Sequence, residues 1–356
     1  MRPSLADTAF AFDGSAVSYG QVVLAAVVWG EWAQLEHEAE LGVLYAERAR
    51  PDPGALAEDD LHSALIGWRR ERKLLSADDY NAWLAERGLT LEDMSGYLSR
   101  AVAREQASQT PAGVSDDAAE DAGDPARIAE IVYPEAILSG RLRVWAERMA
   151  RHRAAARALR ARGTEIPTVS FPEAEELVAS ALRAPATGLG DVPTERLRAW
   201  AAELTELLRS WDALGEQVAG EESIVRCLSG HRLDWQRLGW EEVVFAREDV
   251  AHEAALWVRE EGLALSAVAE QAGIHCTVRA AYSYEAGALS RTLGGVRPGE
   301  LHGPVASESG WLLVHLRERV LPSAADPELR GRAREELLDD ALAPHLAGRV
   351  EWHARF

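Results

Sequence analysis

Cysteine is nearly absent from this chain: Cys227 and Cys276 are the only two in 356 residues. Two isolated thiols build no disulfide framework, so a reducing cytoplasm is the simplest setting. Basic residues are also short. Lys and Arg number 38 against 58 Asp and Glu, a formal charge of −20. Phosphate contacts need a basic face, which excludes nucleic acid as a partner class. Long apolar runs are missing too: the longest, Val22 to Trp29, falls far below the roughly 20 residues of a membrane-spanning helix. It lies behind acidic Asp7 and Asp13, with no basic segment and no small-residue cleavage site, so neither a membrane partner nor a secretion signal is expected. No H-E-x-x-H, G-x-S-x-G, Walker or dinucleotide fingerprint occurs, and no cofactor is expected.

What is present suits a soluble globular protein: 47% hydrophobic and 27% charged residues, at a length sufficient for two or three domains. Twelve tryptophans are many. Most belong in cores, and some are expected to line a peptide-binding or inter-domain surface.

Near the start, two strand-like runs flank Asp13-Gly14, the strongest short hairpin signal, and Ser18 is placed to cap a helix from Tyr19. Helices follow through Arg48, over 57–73, over 77–87 and over 91–105. Ser76 and Thr90 serve as N-caps with acids behind them, and Gly88 as a stop. From Gln106 to Asp124 the chain is Ala, Ser, Gly, Pro and Asp, too poor in apolar surface to offset ordering entropy, and reads as an acidic linker. Arg141 to Arg162 inverts the local charge. Its arginines, Arg153, Arg157 and Arg160 among them, suit either a solvated face or a site for acidic peptide. Leu197, Trp200, Leu204, Leu207, Leu208 and Trp211 recur at helical spacing as a core stripe. Further on come a strand over 235–245, helices over 248–260 and 264–271, a Pro298-Gly299 turn, and an apolar strand from Trp311 to Leu316. A helix over 327–346 and an alternating strand over 350–356 complete the chain.

Cys227-x-x-x-His231 and the adjacent His275-Cys276 lack the paired spacing of structural zinc sites, so no metal is expected.

The run Leu293 to Val305, with Pro298-Gly299-Glu300 and Gly303-Pro304-Val305, then Gly310-Trp311-Leu312, resembles the closing half of a parvulin-type peptidyl-prolyl isomerase domain. That family has a buried histidine where Leu312 stands. Its first-strand histidine is replaced within Trp240-Glu241-Glu242, and Ala280 to Tyr284 occupies the place of its glycine-rich segment. Phe10 to Val17 and the stretch from Trp68 through Trp83 to Leu89 resemble the chaperone domain of SurA-like foldases. The second of these is similar to a branch associated with ribosomal peptide maturation. The resemblance implies an α+β fold: a mainly helical body closed by N- and C-terminal strands (1–105 with 323–356), a linker (106–127), a helical middle region (128–222) and a parvulin-like domain (223–322). It also implies pairing of Phe10–Phe12 with the strand at 350–356.

The implied function is binding of an unfolded or precursor peptide, for presentation to peptide-modifying enzymes, through a non-catalytic cradle. The candidate contacts are Trp240, Glu242, Leu289, Trp311 and Leu312, with Trp68 and Trp83 in the helical body. Two alternatives stay open: an active prolyl isomerase with a rebuilt site, and a peptide-modifying enzyme that uses Glu241 and Glu242.

Overall fold

The computed structural model describes residues 4–49, 57–109, 125–164, 171–184 and 186–353. The fold is mixed α+β and mainly helical, with two small antiparallel sheets. It divides into two compact units, Met1–Leu214 with Ala341–Phe356, and Gly215–Asp340.

In the first unit, strands β1 (Thr8–Phe12) and β2 (Ser15–Ser18) are joined by Asp13 and Gly14, with φ of 50° and 76°. Two successive positive φ values make the primed turn whose twist matches the strands, which is why Asp-Gly signalled it. The expected third strand is present as β7 (Val350–Trp352), antiparallel to β1 with Phe10 opposite Trp352. His353 follows just past the strand, its amide donating to the Ala9 carbonyl of β1 at 3.3 Å, and the remainder of the expected strand lies outside the described residues. Helix α1 (Tyr19–Val28) starts with a capping box: Gln21 N–H donates to Ser18 Oγ, and Ser18 N–H donates to Gln21 Oε1 at 2.9 Å. Its residues Tyr19 to Ala26 are all buried.

Helices α2 (Glu31–Ala49), α3 (Glu58–Glu71), α4 (Ala77–Glu86) and α5 (Leu91–Gln109) follow. Ser76 accepts from the Asp79 amide and Thr90 from the Asp93 amide, each at 3.0 Å. Helix α5 thus continues four residues into the segment expected as linker, and α6 (Pro125–Leu138) takes up the end of it. The stretch between lies outside the described residues. Helices α7 (Arg141–Ala161) and α8 (Phe171–Arg183) complete the unit with most of α9 (Thr194–Val218). The expected middle region therefore divides, the chain through Leu214 belonging to the first unit and the rest to the second. Glu135 of α6, 1% exposed, accepts from Arg100 at 2.6 Å and from Arg104 at 3.2 Å, which joins α6 to α5 in the interior.

The second unit holds α10 (Glu221–Gly230), β3 (Arg237–Phe245), α11 (Glu248–Glu260), α12 (Leu265–Gln271), β4 (Thr277–Tyr282), α13 (Gly287–Leu293), β5 (Leu301–Ser307), β6 (Gly310–Val320) and most of α14 (Pro327–Leu346). Its sheet is antiparallel in the order β4-β3-β6-β5. Successive strand residues face opposite sides, so the sheet carries two cores. Val243, Phe245 and Leu313 pack with Ala251, Ala254, Leu265 and Val268 of α11 and α12. On the other side Leu238, Trp240, Val314 and Leu316 pack with Leu293 of α13. Gly310 turns the chain into β6 at φ 136°, and a Cβ there would meet the Phe245 carbonyl oxygen at 2.4 Å.

Candidate functional site

The residues marked out in the sequence fall in three places. Trp240, Leu289 and Leu312 come together on the α13 side of the sheet, Trp240 buried and the two leucines half-buried. Trp311 points the other way, onto the core formed with α11 and α12. One step along a strand reverses the face, which is how neighbours in sequence separate here. Trp68 and Trp83 belong to the first unit, where their rings meet edge to face at 5.1 Å. Trp68 is buried and donates from Nε1 to the Leu138 carbonyl at 2.9 Å, and Arg72 lies over its ring. Of the twelve tryptophans, only Trp352 is exposed.

Glu242 is fixed on β3, one strand in from the sheet edge. Its Oε2 accepts from Trp240 Nε1 at 2.8 Å and its Oε1 from Arg279 Nε at 2.5 Å, the arginine reaching across from β4. Two cavities of about 590 and 470 Å³ border this group, and both are lined by Trp240, Val278, Arg279 and Ala280. Strand β4 is one of the two edges of the sheet, so every second backbone amide and carbonyl along it lacks a partner strand. Val278 and Ala280 are exposed there, Val278 by 63%. An edge strand with an apolar residue, flanked by open cavities and backed by a buried tryptophan, is a surface onto which an extended chain can pair.

The sequence did not reveal β4. Its six residues show no sharp alternation, and half of them are exposed because the strand has one neighbour instead of two.

Glu241, by contrast, faces the opposite side from Glu242, with Arg317 Nη1 at 3.3 Å and His315 Nδ1 at 3.5 Å. The two carboxylates do not converge on one site. Cys276 lies near Glu241 and packs against the helical core. Burial, with Glu241 adding to it, pushes its thiol up, which disfavours the thiolate nucleophile.

In the first unit, the arginines of α7 meet acids of their own chain. Arg153 pairs with Glu203, Arg157 with Asp13, Arg160 with Glu206 at 2.6 Å, Arg141 with Glu38 at 2.6 Å, and Arg148 with Glu31 at 2.6 Å. Arg153, Arg157 and Arg160 nevertheless line a cavity of about 640 Å³, shared with Phe12, Leu207 and Arg349. The pairing acids lie as many as 144 positions away in the chain, which is why the helix alone read as an excess of positive charge.

The architecture is thus that of a mainly helical α+β protein with an edge-strand cleft in its smaller unit. No family model matches the sequence, and no curated protein matches it. Among solved structures, PrsA from Bacillus subtilis aligns at 16% identity over 55% of this chain and 78% of that chain, with a TM-score of 0.21. The peptidylprolyl isomerase PrsA from Bacillus anthracis aligns at 14% identity over 56% of this chain and 94% of that chain, with a TM-score of 0.23. Such scores leave the site to be judged on its own geometry.

Proposed function

We propose that this chain is a peptide-binding foldase, whose second unit takes an extended peptide along the outer edge of β4. The observation that carries this reading is the coincidence of an unpaired strand edge with two cavities that share Trp240, Val278, Arg279 and Ala280. Main-chain hydrogen bonds to β4 would supply affinity with little demand on peptide sequence. Side chains at alternate positions would enter the cavities and supply selectivity. The buried Trp240 stiffens the wall behind the edge, and the exposed apolar contact there is supplied by Val278. The finer reading is an accessory role in the maturation of a ribosomally made peptide: an unmodified precursor is held extended, in the cytoplasm, for presentation to modifying enzymes. The resemblance of the stretch around Trp68 to Leu89 supports it.

Replacing Val278, which is 63% exposed, with aspartate leaves the core intact and places a charge on the pairing edge. Fluorescence anisotropy with labelled extended peptides is expected to show binding weakened about tenfold or more, equivalent to about 1.4 kcal/mol. Unchanged affinity in Val278→Asp would overturn the β4 reading.

One observation favours prolyl isomerisation as a second reading. Glu242 holds the Arg279 guanidinium at the wall of both cavities, and a fixed donor of this kind favours a twisted amide over a planar one. Exchange spectroscopy on Xaa-Pro peptides with catalytic amounts of protein decides it. Accelerated cis/trans exchange, lost in Arg279→Ala, supports turnover; peptide shifts without acceleration leave binding alone.

A further inference from the structure

Away from the β4 cleft, helices α10 and α14 bring together three side chains of different chemistry. Cys227 and His231 stand one helical turn apart at the end of α10, on the same face. Glu336 meets them from α14, with His231 Nε2 and Glu336 Oε1 2.5 Å apart. One ligand atom from each of the three lies within 4.8 Å of the others. All three are half-buried, which leaves one side open to solvent.

The surroundings organise this group. Trp235 stacks on the His231 ring with centroids 4.2 Å apart and planes 9° from parallel, which fixes the imidazole. Ile224, Leu228, Trp235, Leu329 and Ala333 form an apolar floor against which Cys227 packs. Asp340, one turn beyond Glu336, is exposed and its charge acts on the Cys227 thiol. A fixed ring, an apolar shell and a nearby spare carboxylate are what a ligand set needs around it.

We propose that Cys227, His231 and Glu336 form a three-ligand site for a zinc-class divalent cation, joining α10 to α14. A thiolate, an imidazole and a carboxylate together select a borderline-soft ion that accepts tetrahedral geometry. Zinc bonds of about 2.0–2.3 Å set tetrahedral donors about 3.4–3.6 Å apart. The His231–Glu336 pair would therefore open by about 1 Å, a movement that falls to the Glu336 side chain because Trp235 stacks on the His231 ring. Binding displaces the thiol proton to solvent and leaves the fourth position to water or to Asp340. The paired C-x-x-C spacing of familiar zinc motifs is missing because the third ligand comes from another helix, 105 residues beyond His231.

The test uses the full chain, stripped with chelator and titrated with Co²⁺ as the probe. The expected result is saturation at one equivalent, with the visible bands of tetrahedral Co²⁺ and a thiolate-to-metal charge-transfer band, all displaced by Zn²⁺. Cys276→Ser should retain the charge-transfer band and Cys227→Ser should lose it, while Glu336→Gln should bind about 10–100-fold more weakly. Mass mapping of alkylation on the unmutated chain gives an independent readout, since Zn²⁺ should protect Cys227 and leave Cys276 reactive. Absence of saturable binding, a band that follows Cys276, or alkylation of Cys227 unaffected by Zn²⁺ would each overturn the proposal and leave His231–Glu336 as a simple helix-to-helix hydrogen bond.

Discussion

His152 shows how a single side chain ties the interior of the first unit to pH. It is buried on α7 between the rings of Trp29 and Trp211, with centroids 5.6 and 4.7 Å away. Burial pushes its pKa down to about 4, and Arg148 and Arg151 act in the same direction. The unfolded chain binds its proton near pH 6.5 and the folded one only near pH 4. Stability is therefore fully present above about pH 6.5 and is lost as pH falls from there to about 4. The loss attributable to this group is about 3 kcal/mol, by the ordinary conversion of a pKa difference. Urea titrations at pH 7 and pH 4.5 should show a fall in stability that is visibly smaller in His152→Gln, and an equal fall in both proteins would refute the assignment. Local signals of this size were legible where they act on immediate neighbours: Asp13-Gly14, Ser18, Ser76 and Thr90 each do in the structure what their side chains favour in isolation. The state of His152 was not legible, because its desolvation depends on rings brought in from just past the end of α1 and from α9.

At the scale of elements, two joints concentrate stability. Glu135 links α6 to Arg100 and Arg104 of α5 inside the helical unit. Glu135→Ala would strand the buried Arg100 guanidinium, while the half-buried Arg104 keeps its bond to the Glu38 carbonyl, and is expected to cost about 3 kcal/mol, read as a lower urea midpoint with the slope unchanged. The second joint is the entry to β6. Gly310→Ala forces a Cβ to within 2.4 Å of the Phe245 carbonyl at a backbone angle that suits glycine, with an expected cost of about 2 kcal/mol or more. As a contrast, Gly67 lies inside α3 with nothing within 4 Å of a Cβ, and Gly67→Ala should raise stability by about 0.5–1 kcal/mol. A thermal melt in which both glycine variants behave alike would contradict this distinction. Elements with strong periodicity or caps were readable from the chain itself. β4 was not, since an edge strand has little burial to impose a pattern, and its partner Glu242 gave no hint of the Arg279 contact across the sheet.

At the scale of the whole molecule, the closing of the first unit by β7 is, among the described strand pairings, the one between residues farthest apart in sequence. Phe10 and Trp352 meet with ring centroids 5.2 Å apart, the Asp13 amide donates to the Arg349 carbonyl at 3.0 Å, and the Arg349 side chain reaches Asp13 at 2.8 Å. A chain ending at Gly348 loses all three and exposes an edge of β1. With roughly 3 kcal/mol lost, its Tm is expected to fall by about 6–12 °C in scanning calorimetry, and a Tm equal to that of the full chain would argue that β7 is decorative. Pairing of the two ends was inferred by family resemblance and not by any local pattern, because three short strand residues carry too little periodicity to name their partner. The acids that meet the arginines of α7 escaped for a related reason: charge counted along a helix says nothing of charge delivered from elsewhere.

The position of β1 between β2 and β7 also sets a clock on synthesis. Residues 8–12 leave the ribosome well ahead of their second neighbour, which is made more than 330 residues later. At about 5–20 residues per second, β1 waits roughly 20–70 s with one edge unsatisfied. During that interval the nascent chain carries an open strand of its own, able to pair with neighbouring nascent chains, so that a chain proposed to receive extended segments itself first needs cover.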